Sequence, residues 1–212
     1  MTPVVYLHGF ASGPSSKKAR YFRDRLRAAG FSVSVPDLAD GDFERLTITG
    51  QLAALGRAVA AIAAGGPVSL IGSSLGGYLA APYAARRPQV ERLVLLAPGF
   101  RFATRWPQIQ GAAAMQEWRR TGFLEVFHYG EGRALRLSYN MVDDPPRYED
   151  EPDFRQPALI FHGARDDVVP PEYSAQFAAS HPNARLELLE AGHDLLNVLD
   201  YMAARAVPFL AG

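Results

Sequence analysis

Gly72-Ser73-Ser74-Leu75-Gly76 fits the pattern G-x-S-x-G. A short apolar run precedes it and a helical pattern follows. A serine held at such a strand-to-helix turn stands clear of the sheet and can act as a nucleophile. The helix that follows would turn backbone N–H groups and the positive end of its dipole toward a developing anion. A tight turn without chemistry would leave the same local trace, so the serine needs partners. A hydroxyl is a weak nucleophile until a base takes its proton. Of the five histidines, His193 lies in Ala191-Gly192-His193-Asp194, between the last predicted strand and the last predicted helix. That loop belongs at the C-terminal edge of a parallel sheet, where a turn after another strand also emerges. His162 opens HGARDD and is expected to pack or bond locally. His8 sits in an HG turn, and His128 and His181 are expected in structural or surface roles.

The base needs an acid to fix its tautomer and to stabilise the imidazolium. Asp166 and Asp167 both follow the fifth predicted strand. Asp166 fits HG-x-x-D-x-x-V-P and is the chosen acid; Asp167 is expected to cap or solvate the turn, and Asp194 to cap the last helix. A tetrahedral oxyanion also requires donors. The Leu75 N–H follows the nucleophile, and the HGF turn after the first strand offers the Phe10 N–H.

These residues must be carried by strands that end at one edge. Residues 4–8 form a nearly continuous apolar run, which suits a strand buried on both faces. Further strands are expected at 31–35, 68–71, 93–97, 158–161 and 185–189. Helical spacing places Ala19, Phe22, Leu26 and Ala29 on one face of a first helix capped by Ser15 or Ser16. Other helices are expected at 47–64, 79–87, 171–180 and 195–204. The alternation predicts an α/β fold: a three-layer sandwich around a doubly wound, mostly parallel six-stranded sheet. Residues 100–156 interrupt it with far more chain than a crossover needs. They carry a predicted helix at 107–120 and several aromatics. One reading makes this stretch a cap or lid, its aromatics lining an apolar pocket; another makes those aromatics its own small core. Arg101 and Arg105 follow the fourth strand at the active edge and could meet an anionic substrate group. A single domain over residues 1–212 with this insertion is the expected organisation.

Lys and Arg balance Asp and Glu at 22 each. Such a balance gives no electrostatic reason to expect nucleic acid or an anionic membrane. Cysteine is absent, which removes disulfides, thiolate nucleophiles and thiolate zinc sites. No apolar run approaches about eighteen residues. No signal peptide is visible at the N-terminus, so the cytoplasm is the default expectation.

VVYLHGFASGPSSKKA, GSSLGGYLAA, HGARDDVVP and AGHD together resemble the α/β-hydrolase superfamily. The wording of the first and second is similar to the small bacterial serine esterases of the YqiA/YcfP type. The resemblance spans nearly the whole chain and is weakest in residues 100–156. It implies a triad of Ser74, Asp166 and His193, with Phe10 and Leu75 donating to the oxyanion. It also implies a trimmed sheet that begins at the strand bearing HGF, in the spatial order 2-1-3-4-5-6. No cofactor or metal follows from it. The expected activity is hydrolysis of a small-molecule carboxylic ester through an acyl-enzyme on Ser74. A thioesterase or deacylase using the same triad, and a non-catalytic binding protein on the same scaffold, remain as alternatives.

Overall fold

The computed structural model describes residues 1–212. Its main sheet contains β1 (Val4–Leu7), β2 (Val33–Ser34), β3 (Val68–Ser73) and β4 (Val90–Leu96). After an inserted antiparallel hairpin of β5 (Phe123–His128) and β6 (Arg133–Ser138), β7 (Ala158–Gly163) and β8 (Ala184–Leu189) complete it. The sheet order is β2-β1-β3-β4-β7-β8, all neighbours parallel. In the sheet's own count this is the expected 2-1-3-4-5-6. The chain runs outward from β1 to β2, then returns to place β3 on the other side of β1. The loops after β1 and β3 therefore part in opposite directions, and the crevice between them is where open α/β sheets bind ligands.

The strand pleat divides the core in two. Val5, Leu7, Leu70, Leu93, Leu95 and Ile160 face α2 (Ile48–Ala63), α3 (Leu75–Ala85) and α7 (Pro171–Ser180). Val4, Tyr6, Ile71, Val94, Leu96 and Phe161 face α1 (Lys17–Ala28) and α8 (Leu199–Ala211). Both faces are covered, which explains why the central strands read as continuous apolar runs rather than alternating ones. Ser16 caps α1 by accepting from the Ala19 N–H, and Thr47 caps α2 by accepting from the Gly50 N–H.

The insertion departs most from sequence expectation. The helix expected at 107–120 is two helices, α4 (Phe102–Gln110) and α5 (Ala112–Thr121), broken at Gly111 with φ of 78°. The β5–β6 hairpin follows, then α6 (Asn140–Asp143). Hydrogen bonds from several points fasten this segment to the frame. Asp144 accepts from the Thr49 amide and hydroxyl on α2, both at 2.7 Å. The Tyr129 N–H donates to Ala11 O, and the Ser138 N–H to Glu44 O. Elsewhere the differences are of boundary. Only Val33–Ser34 of the expected second strand pairs with β1, and α3 starts directly after the nucleophile turn rather than one turn later. The last helix is preceded by a 3₁₀ turn, Leu196–Val198, and begins at Leu199.

Candidate active site

Ser74 lies between β3 and α3 with φ 53° and ψ −117°, a conformation that L-residues rarely hold. The surrounding glycines make it possible. A Cβ on Gly72 would sit 2.3 Å from Gly76 O, and one on Gly76 would sit 2.4 Å from Leu7 O. Backbone thus approaches backbone on both sides of the turn, which is the physical content of G-x-S-x-G. The Ser74 N–H is tied to Leu96 O on β4, and Ser74 O accepts from Gly99 and Tyr78.

Three side chains distant in the sequence meet here. His193 Nε2 is 2.9 Å from Ser74 Oγ, and His193 Nδ1 is 2.7 Å from Asp166 Oδ2. The carboxylate accepts at Nδ1, so that nitrogen carries the ring proton and Nε2 is left to accept from the serine hydroxyl. His193 is carried by the loop between β8 and α8, where Leu195 adopts φ of 55° with no exposed surface. Asp166 follows β7. Its Oδ1 accepts from the Val168 and Val169 amides at 2.9 and 2.8 Å. Burial alone would raise the Asp166 pKa. The hydrogen bonds from His162, His193 and the Val169 amide outweigh it and hold the carboxyl well below the usual carboxylate range.

The HGF turn lies beside the serine: a Cβ on Gly9 would be 3.3 Å from Ser74 Cβ. The Phe10 N–H has no acceptor within the protein. Leu75 opens α3, where N–H groups lack intrahelical acceptors. An apolar pocket of about 110 Å³ adjoins Ser74 and Leu75; Phe10, Phe102, Trp106, Ile109, Val168 and Val169 are among its lining residues. A larger cavity of about 500 Å³ lies between residues 12–15 and the hairpin. It is lined by charged groups of both signs and does not include Ser74.

The remaining residues singled out in the sequence fall elsewhere. Asp167 is exposed, and Asp194 accepts from the Leu196 N–H at the start of the 3₁₀ turn rather than capping the last helix. His8 accepts from the Leu38 N–H, His128 accepts from the Glu131 N–H, and His181 stacks on Phe177. Arg101 binds Glu151 and Gln176, while Arg105 donates to Val168 O, so both guanidinium groups have internal partners. The insertion's aromatics divide between the two readings. Phe102 and Trp106 line the pocket, Trp118 is buried with its indole N–H donating to Leu137 O, and Phe127 and Tyr129 are exposed. No group of three His, Asp or Glu side chains is placed to hold a metal ion, and no helix is long and apolar enough to cross a membrane.

The sheet order, the strained serine turn and the crevice at the reversal define a member of the α/β-hydrolase superfamily. Residues 3–210 match the family described as Uncharacterised protein family (UPF0227), and the chain belongs to that family. The chain is 25% identical over 185 residues to the mitochondrial palmitoyl-protein thioesterase ABHD10 of Bos taurus, a match covering 82% of this chain and 60% of that protein. It thus spans less than two thirds of that relative's length. Among solved structures, mouse α/β-hydrolase domain-containing protein 10 superposes with a TM-score of 0.81 at 20% identity, over 99% of this chain and 89% of the other. Est1E of Butyrivibrio proteoclasticus with bound ferulic acid gives 0.78 at 23%, over 100% and 88%. A monoacylglycerol lipase of Paleococcus ferrophilus gives 0.75 at 19%, over 99% and 95%. At these identities the structures speak to the fold.

Proposed function

We propose that this chain is a serine hydrolase that cleaves carboxylic esters of small to medium acyl groups. The observation that carries the reading is the continuous Ser74–His193–Asp166 contact, at 2.9 and 2.7 Å. Ser74 Oγ attacks the ester carbonyl carbon while its proton passes to His193 Nε2. The carbonyl oxygen gains the charge and accepts from the Phe10 and Leu75 N–H groups, donors whose individual loss costs about 2.7–4 kcal/mol of barrier in comparable sites. Collapse of the intermediate expels the alcohol, which takes its proton from His193 and leaves an ester on Ser74. Water then attacks that ester, His193 accepts and returns a second proton, and the acid is released. Asp166 holds the imidazole tautomer and offsets the imidazolium charge in both halves.

The size of the acyl group is argued from the 110 Å³ apolar pocket at Ser74, with α4 of the insertion as its cap. A pocket of that volume suits a short chain better than a long one. A thioester presents the same carbonyl to the same groups, and the ABHD10 relative is named as a thioesterase. A panel of oxygen esters and thioesters of rising acyl length, run with Ser74→Ala, tests the reading. Short oxygen esters should turn over best, and Ser74→Ala should fold normally while losing about 10⁴- to 10⁶-fold in kcat. Retention of most activity in Ser74→Ala would remove the nucleophile, and a preference for long thioesters would replace the substrate class.

A further inference from the structure

His162, at the end of β7, has no exposed surface and no part in the scheme above. Its Nε2 is 3.0 Å from Asp166 Oδ2, the oxygen that also meets His193, and 2.9 Å from Val169 O. Its Nδ1 is 2.7 Å from Ser174 Oγ on α7. A carboxylate and a carbonyl only accept, so Nε2 must carry a proton. The neutral ring then accepts the Ser174 hydroxyl proton at Nδ1. Asp166 consequently has two amides donating to Oδ1 and His193 donating to Oδ2, with the His162 N–H, shared with Val169 O, 3.0 Å from that same Oδ2.

Resting on the proposed function, we infer that His162 is a positioning residue for the reaction, acting through Asp166. It fixes the rotation of the carboxylate and draws off part of the charge that His193 would otherwise meet alone. Removing its N–H leaves more charge on Oδ2, and a fuller charge there stabilises the His193 imidazolium. The base is then freed only at higher pH, so the acidic limb of the kcat/KM profile moves up. The other charged groups near the cluster leave that limb readable. Lys18 faces Asp166 and Asp194 from α1; burial pushes its ammonium down to about 8, against the pull of the two carboxylates, so it titrates on the alkaline side. Arg105 is engaged by Val168 O and Arg165 by Glu190.

The test compares His162→Leu, which removes the donor, with His162→Gln, whose amide nitrogen reaches the place of Nε2. His162→Leu should lower kcat about ten- to a hundredfold and raise the acidic limb by up to about one pH unit. His162→Gln should bring the limb back toward wild type. A role confined to packing would lower the folded fraction and leave the limb where it was. Should neither variant fold, the wild-type protein decides through the ¹⁵N shifts of its imidazoles. A neutral His162 ring carrying its proton at Nε2 supports the inference, and one carrying it at Nδ1 overturns it. Ser74→Ala runs alongside. Turnover surviving in that variant overturns the proposed function and this inference with it. Ser74-dependent turnover with an acidic limb indifferent to His162→Leu overturns the inference alone.

Discussion

The frame and the insertion of this molecule are built on different terms. In the frame, β1, β3 and β7 are buried along their whole length, and nearly every residue of α3 is buried. In the insertion, α4 buries no residue completely and α5 buries only Trp118. The frame is therefore fixed by apolar area on two faces. The insertion is held by fewer buried side chains, Phe100, Trp118, Leu137, Met141 and Phe154, together with the Asp144–Thr49 bonds and backbone ties. The reacting side chains stand on the first region, and the second supplies Phe102, Arg105, Trp106 and Ile109 to the pocket wall. Rigid positioning is needed for the bond-making atoms, whereas the shape of the substrate is set by parts that can vary without disturbing them.

If this division holds, damage to the frame's chemistry should cost far more than damage to the insertion. The largest contrast is expected between two adjacent aspartates. Asp166→Asn should lower kcat about 10⁴-fold by presenting the wrong partner to His193, while Asp167→Asn, at an exposed position, should behave as wild type in the same assay. A reversed result would move the acid by one residue. The same variant reads out the depressed Asp166 pKa. Its folded pKa lies below that of an unfolded aspartate, about 3.9. The carboxylate's contribution to stability is therefore full above that value and is lost as pH falls through the folded one. The gap in urea midpoint between wild type and Asp166→Asn should be widest at neutral pH and narrow below about pH 4.

Trp118→Ala comes next. It should lower the free energy of opening the insertion by about 3–5 kcal/mol. Hydrogen exchange would report this as faster exchange across 102–147, with β3, β4 and β7 still protected. Uniform loss of protection would show that the two regions unfold as one. The smallest effect is expected at Ile109, which lines the pocket but is 59% exposed. Ile109→Ala should shift the acyl-chain optimum toward longer esters by no more than about tenfold in relative kcat/KM, with the acidic limb unchanged.

The same division governs what could be read from the sequence. The placement of Ser74, Asp166 and His193 at one edge was legible because each residue sits in a short motif directly after a strand, while the sheet order followed from the family resemblance. A parallel sheet sends all such loops to one edge. The insertion was less legible. Gly111 splits a helical pattern that otherwise runs on through 120. Leu124 and Val126, opposite Leu137 and Leu135, carry a period-two signal that marks the hairpin, but only over short stretches rich in charge. The start of α3 was hidden by Gly76 and Gly77, poor helix formers that the close backbone approach requires. His162 was expected to bond locally and does so. That one of its partners is Asp166 depends on the turn at 163–166 bringing the carboxylate back over the ring, which no spacing rule expresses.

The central claim is that Ser74 is an activated nucleophile in the folded protein. Treatment with a fluorophosphonate followed by peptide mass analysis tests it directly. A single adduct on Ser74, formed by the wild type and much more slowly by His193→Ala, is the expected result. A folded wild-type protein that forms no adduct, or carries it on another residue, would contradict the account.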